Sequence, residues 1–194
     1  MTKTKDSKSM QASLPFKTFI FRHWKETERA SNTARLIAEL LSPVQVIDYG
    51  IDEVNCEYFD PNEAVLLYPP EQPNHSNPIL GSFKSLIIVD GTWKQVRKMM
   101  GRIPQLRSLP RMRVSAQNPP YPRLRNPSIQ GGLSTVEAMG SALMQFGLHD
   151  AEMRLRKANW SLLDKLRASV GIRHQLVPGL SFTDLRILDN QDEI

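Results

Sequence analysis

The sequence predicts a single α/β domain built on a mostly parallel β-sheet. Short apolar runs alternate with segments whose apolar residues recur at helical spacing, the order expected when strands and helices alternate along a chain. The clearest run is Leu-Ile-Ile-Val at residues 86–89, and a continuous apolar run is typical of a parallel strand covered on both faces. A length of 194 residues suits one domain with a substantial core.

Local signals place the individual elements. Ser31, Asn32 and Thr33 are residue types that cap helices, and Ser134 and Glu137 have the spacing of a capping box. Prolines crowd residues 69–78, which indicates a loop. In chain order, we expect a strand at residues 17–21, a helix from the Asn32 region to about residue 41, strands at 44–47, 64–67 and 86–89, a helix after Trp93, a strand at 112–114, a helix after Ser134 and a last helix at about 150–170.

The two ends of the chain are predicted to lie outside this domain. Residues 1–14 are polar and charged without periodicity, which is typical of a disordered tail, the domain is expected over residues 15–175, and residues 176–194 are expected to form a partly ordered tail. No apolar run approaches the roughly 18 residues that span a bilayer. The single cysteine, Cys56, excludes an internal disulfide and a multi-cysteine zinc site, so we expect a cytoplasmic protein without a metal.

The charged residues are segregated along the sequence. Residues 36–83 contain eight Asp or Glu and no Lys or Arg, whereas residues 91–136 contain nine Lys or Arg and no acid. Ordinary surfaces interleave the two signs, so the second block is expected to form a positive face that attracts the phosphates of a nucleic acid. The alternative is a solvated basic face that has no partner.

Several predicted strands are followed by polar residues, at the edge of a parallel sheet where ligands bind. Asp90 comes directly after the apolar run, and Thr92 and Trp93 begin the next helix. In one interpretation Asp90 points into the ligand crevice and Trp93 stacks on a base or faces a cation. In the other, Asp90 and Thr92 only cap the helix and Trp93 belongs to the core. The other candidate ligand or RNA contacts are Tyr68-Pro69-Pro70 and the long loop at residues 115–135, which carries Tyr121, Arg123 and Arg125.

Asp90-Gly91-Thr92-Trp93 resembles the D-x-T-W signature of the DTW-domain family, and three further segments match that family in the same order. The segment that begins with His23-x-x-Glu26 and continues through Asn32-Thr33 to Leu36 resembles its H-x-x-E…NT-x-x-L segment. Residues 121–125 (Tyr-Pro-Arg-Leu-Arg) are similar to its Y-R-L-R segment with one residue inserted, and residues 133–138 (Leu-Ser-Thr-Val-Glu-Ala) resemble L-S-T-x-E-A. The resemblance covers about residues 17–150, and four ordered matches are far more specific than one.

The resemblance implies a SPOUT-like fold, in which a C-terminal trefoil knot holds S-adenosylmethionine (SAM). The implied activity is that of a tRNA-uridine aminocarboxypropyltransferase, which moves the 3-amino-3-carboxypropyl group of SAM to N3 of a uridine, forms acp³U and releases methylthioadenosine. A SPOUT-type RNA methyltransferase and a non-catalytic RNA-binding protein remain as alternatives. Many members carry a cysteine-rich zinc motif before the first strand, and this chain has only polar residues there, which bears on the RNA substrate more than on the chemistry.

This reaction removes a proton from uridine N3, so it needs a general base, and we expect Asp90 to be that base with a pKa raised by burial. Thr92 is expected to orient Asp90 or the ligand, and Trp93 to pack beside the uracil or the sulfonium. Whether His23 and Glu26 join the site is left open. Residues expected to bind SAM are Tyr68, Pro69, Leu109, Pro110, Leu133, Ser134, Thr135 and Glu137, and those expected to bind RNA are Lys94, Arg97, Lys98, Arg123 and Arg125.

Overall fold

The computed structural model describes residues 11–29, 32–50, 58–69, 78–117, 121, 123 and 132–170. These residues form one five-stranded sheet in the order β2-β1-β4-β3-β5, and every neighbouring pair of strands is parallel. The α/β class and the parallel sheet predicted from the sequence are therefore confirmed. The strands are β1 (Ala12–His23), β2 (Leu41–Tyr49), β3 (Ala64–Leu67), β4 (Ser85–Asp90) and β5 (Arg111–Met112).

Helices cover both faces of this sheet. They are α1 (Thr33–Leu40), α2 (Trp93–Arg102), α3 (Pro104–Ser108), α4 (Thr135–Gln145) and α5 (His149–Val170), and short 3₁₀ helices lie at Trp24–Glu26 and Pro61–Glu63. Helices α1, α4 and α5 pack on the face that carries Ile20 and Ile88, whereas α2 and α3 pack on the face that carries Phe21 and Ile87. Successive side chains of a strand point to opposite faces, so even-numbered residues at the ends of β1 and β4 face α4, and odd-numbered residues face α2.

Strand β3 has the predicted bounds, and the other four strands differ. Strands β2 and β4 extend beyond the predicted residues 44–47 and 86–89 at both ends. Strand β1 begins at Ala12, so residues 12–14 belong to the strand rather than to a disordered tail. The physical reason is an alternation that precedes the continuous apolar run: Leu14 and Phe16 are buried, while the residues beside them are exposed. Strand β5 is only Arg111–Met112 instead of residues 112–114. Helix α3 was not predicted, because five residues are too few to show a helical period.

Tyr121 is a core residue, and the prediction that it contacts a ligand or RNA is wrong. Its side chain is 2% exposed, its hydroxyl donates to the Glu152 carbonyl at 3.5 Å, and the Arg156 guanidinium carbon lies 4.3 Å from the ring centroid. A Cβ added to Gly140 in α4 would lie 2.2 Å from the Tyr121 hydroxyl oxygen. The absence of a side chain at Gly140 therefore leaves room for the Tyr121 ring. Through this ring, the segment that follows β5 packs against helices α4 and α5.

Several predictions fall outside the described residues. Most of the segment between β5 and α4, where the predicted knot would form, is among them, and so are Pro70, Arg125, residues 1–10 and the predicted tail at residues 176–194. The knot, the tail at residues 1–10 and the C-terminal tail therefore stay predictions. No helix within the described ranges is long and apolar enough to cross a bilayer.

Candidate functional site

Asp90 ends strand β4 at the carboxyl edge of the sheet and is buried, with 8% of its surface exposed. It lies on the face covered by α4, and the hydroxyl of Thr135, the first residue of that helix, donates to Asp90 Oδ1. The two residues are 45 positions apart in the sequence. We call the group formed by Asp90, Thr135, Arg22 and Glu26 the Asp90 site.

Arg22 lies level with Asp90 on one neighbouring strand and with Asp48 on the other. Its guanidinium binds Asp48 with both arms, with Nε 2.7 Å from Oδ1 and Nη2 2.8 Å from Oδ2. These hydrogen bonds hold the pKa of Asp48 below its ordinary value. Both of these hydrogen bonds go to Asp48. Asp90 is buried on the neighbouring strand and is attracted to the Arg22 cation only through space.

Burial raises the pKa of Asp90 above its ordinary value. The hydrogen bond from Thr135 and the charges of Arg22 and Arg29 act in the opposite direction, while the negative charge of Glu26 raises the pKa further. A carboxylate with a raised pKa is a stronger base than an exposed one. A raised pKa is the property that we expected of Asp90 if it acts as a general base.

Glu26 lies at the edge of this site, in the 3₁₀ turn that follows β1. Its Oε2 binds Arg29 Nη1 at 2.9 Å, while its Oε1 is buried and has no hydrogen-bond partner within the described part of the chain. Buried carboxylate oxygens are normally hydrogen-bonded. An unsatisfied acceptor near a second carboxylate marks a place where a ligand with a cationic donor would be stabilised.

The first turn of α4 has a closed hydrogen-bond network around Glu137, which is 3% exposed. Glu137 Oε2 accepts from the backbone nitrogen of Ser134 at 2.8 Å and from its hydroxyl at 2.7 Å, which completes the predicted capping box. Glu137 Oε1 accepts from Arg123 Nε at 2.6 Å. Arg123 was expected to contact RNA or the carboxylate of SAM, whereas its guanidinium here holds the cap of α4 in place.

Thr92 caps α2 and forms no hydrogen bond with Asp90. Its hydroxyl accepts from Gln95 N at 3.4 Å, and its own backbone nitrogen donates to Gln95 Oε1 at 2.6 Å. The side chain of Thr92 thus acts as a helix cap, as the second of the two interpretations of the sequence expected. Trp93 follows as the first residue of α2, and its ring centroid is 6.2 Å from that of Tyr68.

Tyr68 and Trp93 form an aromatic pair beyond the ends of β3 and β4. Arg111, in the edge strand β5, lies over one aromatic ring of this pair: its guanidinium carbon is 5.3 Å from the centroid of the Tyr68 ring. Pro110, just before that strand, accepts a hydrogen bond from Leu66 N through its carbonyl at 2.9 Å. Leu109 is 4% exposed and belongs to the core cluster beneath α2, so its side chain packs within the fold.

The predicted RNA-binding residues of α2 divide into two groups. Lys94 and Lys98 line a cavity of about 460 Å³ between α2 and the ends of β1 and β2, whereas Arg97 is exposed and does not line it. We call this cavity the Trp24 pocket; its basic and exposed aromatic lining residues are Trp24, Lys25, Lys94, Lys98 and Arg102.

His23 belongs to this pocket and lies on the sheet face opposite Asp90. Its Nδ1 accepts from the Lys25 backbone nitrogen at 3.2 Å and is 3.5 Å from Gln95 Nε2. Burial, followed by the charge of Lys25, lowers the pKa of His23. Glu26 therefore lies near Asp90, whereas His23 lies in the pocket on the other face of the sheet.

The sequence did not identify Arg22, Asp48 or Trp24 as site residues. One local signal was available for Arg22, since an arginine that ends an apolar strand next to a ligand-binding edge is unusual. No comparable signal marked Asp48 or Trp24, because their roles depend on pairing between strands.

Within the described ranges, no group of three or more His, Cys, Asp and Glu side chains is placed to hold a metal ion. Cys56 lies outside those ranges. The expectation that the protein uses no metal stays a prediction.

Two comparisons with known proteins bear on identity. No solved structure matches the chain at a significant level. The sequence model of the DTW domain matches residues 4–171, which is most of the chain and includes β1, the D-x-T-W turn and helices α1 to α5. The chain therefore belongs to the DTW-domain family.

Proposed function

We propose that this protein transfers the 3-amino-3-carboxypropyl group of SAM to N3 of a uridine in tRNA, with Asp90 as the general base. Membership of the DTW-domain family is consistent with a role in tRNA modification. The observation that carries the finer proposal is the buried Asp90, which has a raised pKa and a hydrogen bond from Thr135 at the edge of the sheet where ligands bind.

In this reaction SAM supplies a carbon activated by the neighbouring sulfonium. Uridine N3 forms a bond to that carbon, the carbon–sulfur bond breaks, and methylthioadenosine leaves with the electron pair. The proton of N3 passes to Asp90 Oδ2, while Thr135 holds Oδ1 and so fixes the orientation of the carboxylate. General bases placed in this way contribute about 10²- to 10⁴-fold to a rate.

The residues around Asp90 fit SAM in charge. SAM carries a sulfonium and an ammonium, and the unsatisfied Oε1 of Glu26 is an acceptor for an ammonium donor. The aromatic pair of Tyr68 and Trp93 offers ring faces to a sulfonium or an adenine. We assign the remaining contacts to Pro69, Pro110, Leu133 and Ser134, with Leu109 and Glu137 supporting this surface from within the fold.

A SPOUT-like fold with a trefoil knot between β5 and α4, and a cytoplasmic location, are parts of the same proposal. The all-parallel sheet is compatible with such a fold. Of the proposed SAM contacts, Pro110 directly precedes β5 and Ser134 caps α4, so both lie beside the segment that would be knotted.

The decisive experiment incubates the purified protein with total tRNA and SAM labelled in the aminocarboxypropyl moiety, followed by digestion and mass spectrometry of the nucleosides. We expect a labelled uridine and free methylthioadenosine. Release of adenosylhomocysteine with a methylated nucleoside would replace the proposal by methyl transfer. Tight RNA binding without any binding of SAM would replace it by a non-catalytic role.

A further inference from the structure

The Trp24 pocket is built from three separate elements at the carboxyl edge of the sheet. The end of β1 and the turn after it supply Trp24 and Lys25, the end of β2 supplies Tyr49 and Gly50, and α2 supplies the opposite wall. Its volume of about 460 Å³ is within the range of roughly 300–1,000 Å³ that holds small ligands. The pocket lies on the α2 face, so it is a different space from the Asp90 site.

The described residues that line this pocket carry positive charge only. Lys94, Lys98 and Arg102 are four residues apart and therefore lie on one side of α2, and Lys25 lies on the facing turn. Within the described ranges none of these four cations forms an ion pair with an acid, and no lining residue is acidic. Such a concentration of cations that lack an acidic partner favours an anionic ligand.

Trp24 gives the pocket an exposed aromatic surface. Its side chain is 46% exposed, yet the indole is held in place, because a Cβ on Gly50 would lie 2.7 Å from Trp24 Cδ1. Gly50 has a φ of +98°, a conformation that L residues rarely adopt. The indole is also stacked with the ring of His23 at a centroid distance of 6.1 Å, and Lys25 Nζ lies 5.3 Å from the centroid of the indole. A fixed, exposed aromatic ring among lysines is the arrangement that binds single-stranded nucleic acid.

The pocket and the Asp90 site meet at the turn that follows β4. Gln95, which lines the pocket, binds the backbone nitrogen of Thr92 through Oε1 and approaches His23 through Nε2. A Cβ on Gly91 would lie 3.2 Å from Gln95 Oε1 and 3.5 Å from His23 Cβ. Gly91, which follows the proposed base in the chain, therefore packs against two residues of the pocket wall.

We propose that the Trp24 pocket binds one unstacked nucleotide of the RNA substrate, with its base against Trp24 and its phosphate held by Lys94 and Lys98. A strand of RNA that crosses the carboxyl edge then places a neighbouring nucleotide at Asp90. This inference rests on the proposed function for the identity of the ligand as RNA. It deepens that function by assigning the residues that hold the substrate beside the reacting uridine.

The test measures binding of a fluorescently labelled single-stranded RNA by anisotropy at several salt concentrations, without SAM. We expect Trp24→Ala to weaken binding by about tenfold and Trp24→Phe to retain most of it, because phenylalanine still stacks on a base. We expect the double variant Lys94→Ala/Lys98→Ala to weaken binding and, because the two lysines hold one phosphate, to reduce the slope of log K against log salt by about 0.7.

The matched control is Lys157→Ala, which removes an exposed lysine from α5 on the other face of the sheet. We expect this variant to bind RNA as the unchanged protein does. Binding by Trp24→Ala and by the double lysine variant that equals the control would overturn the inference. Loss of SAM binding in Trp24→Ala, measured by calorimetry, would also overturn it, because the pocket would then hold SAM.

The two proposals fail separately. If the protein makes the labelled uridine but none of the pocket variants weakens RNA binding, the reaction stands and the pocket assignment falls. If no SAM-derived group reaches any RNA while Trp24→Ala and the lysine variant lose RNA binding, the pocket assignment stands and the reaction falls.

Discussion

Helices α2 and α4 begin with the same capping box in two different surroundings. Thr92 and Gln95 exchange hydrogen bonds at the start of α2, and Ser134 and Glu137 do so at the start of α4. Both helices begin at the carboxyl edge of the sheet, on opposite faces. The backbone chemistry of the two helix ends is therefore alike, and the differences lie in the side chains around them.

The capping partner of α4 is a buried carboxyl group, whereas that of α2 is a partly exposed amide. Glu137 is 3% exposed and has Arg123 as a counter-ion. Gln95 instead lies among the lysines of the Trp24 pocket. A carboxylate at position 95 would add a negative charge to that pocket, so an amide caps the helix and leaves the positive charge intact. Gln95 therefore has two roles: it caps α2, and it lines the pocket without adding a negative charge.

The second difference concerns the first residue of each helix. Thr135 of α4 points its hydroxyl at Asp90 and holds the proposed base. Trp93 of α2 presents a ring that pairs with Tyr68. In the proposed function, one helix start supports proton transfer and the other contacts the ligand, although both have the same capping box.

The largest expected effect comes from Asp90→Asn. We expect formation of the labelled uridine to fall by about 10²- to 10⁴-fold, because the base is removed while the shape of the side chain is kept. Binding of SAM, measured by calorimetry, should change little. A variant that retains its rate would contradict the assignment of Asp90 as the base.

The same substitution also tests the burial of Asp90 through its effect on stability. The pKa of Asp90 is raised in the folded protein, so its contribution to stability is full below the ordinary pKa of the unfolded chain and is lost as the pH rises through the folded pKa. We therefore expect Asp90→Asn to raise the melting temperature at neutral pH and to do so less at acidic pH. An equal change at both pH values would mean that the carboxylate is not destabilised by burial.

The next effect compares the two caps directly in urea denaturation. We expect Glu137→Ala to lower the free energy of unfolding by about 3 kcal/mol, because it breaks the buried ion pair with Arg123 and the hydrogen bonds from Ser134. We expect Gln95→Ala to lower it by about 1 kcal/mol, the usual cost of weakening a cap. The control is Glu39→Ala, which breaks the exposed pair with Arg35 and should cost at most about 0.5 kcal/mol. Equal losses for the first two variants would remove the distinction between the caps.

Local features of the structure could be predicted from the sequence. The capping box of Ser134 and Glu137, the cap at Asn32 and the strand before Asp90 all depend on residues that are a few positions apart. The position of Asp90 at the ligand-binding edge follows from the same local signal, because a charged residue that ends an apolar strand has to lie at the end of the sheet.

Features that join distant parts of the chain could not be predicted in this way. The hydrogen bond between Thr135 and Asp90 spans 45 positions, and the ion pair between Arg22 and Asp48 spans 26. The burial of Tyr121 depends on Gly140 in the facing helix. These contacts follow from strand order and helix packing, which a single sequence does not reveal, and they decide which polar residues face the ligand and which hold the fold.

The smallest expected effect, and the finest test of the difference between the helix starts, comes from Thr135→Val with Thr135→Ser as its control. Removing the hydroxyl deletes a hydrogen bond that lowers the pKa of Asp90. We therefore expect the acidic limb of the rate-against-pH profile to move to higher pH by about one unit, since a neutral hydrogen bond and one pKa unit have similar free energies. Serine keeps the hydroxyl, so its profile should stay near that of the unchanged protein.

The pH profile also separates two roles for Thr135. If this residue mainly contacts SAM, Thr135→Val should raise the KM for SAM and leave the acidic limb in place. If it positions and tunes Asp90, the limb should move and the KM should change less. A shift of the limb in the valine variant alone would assign the hydroxyl at the start of α4 to the base, and no hydroxyl at the start of α2 has a corresponding partner among the described residues.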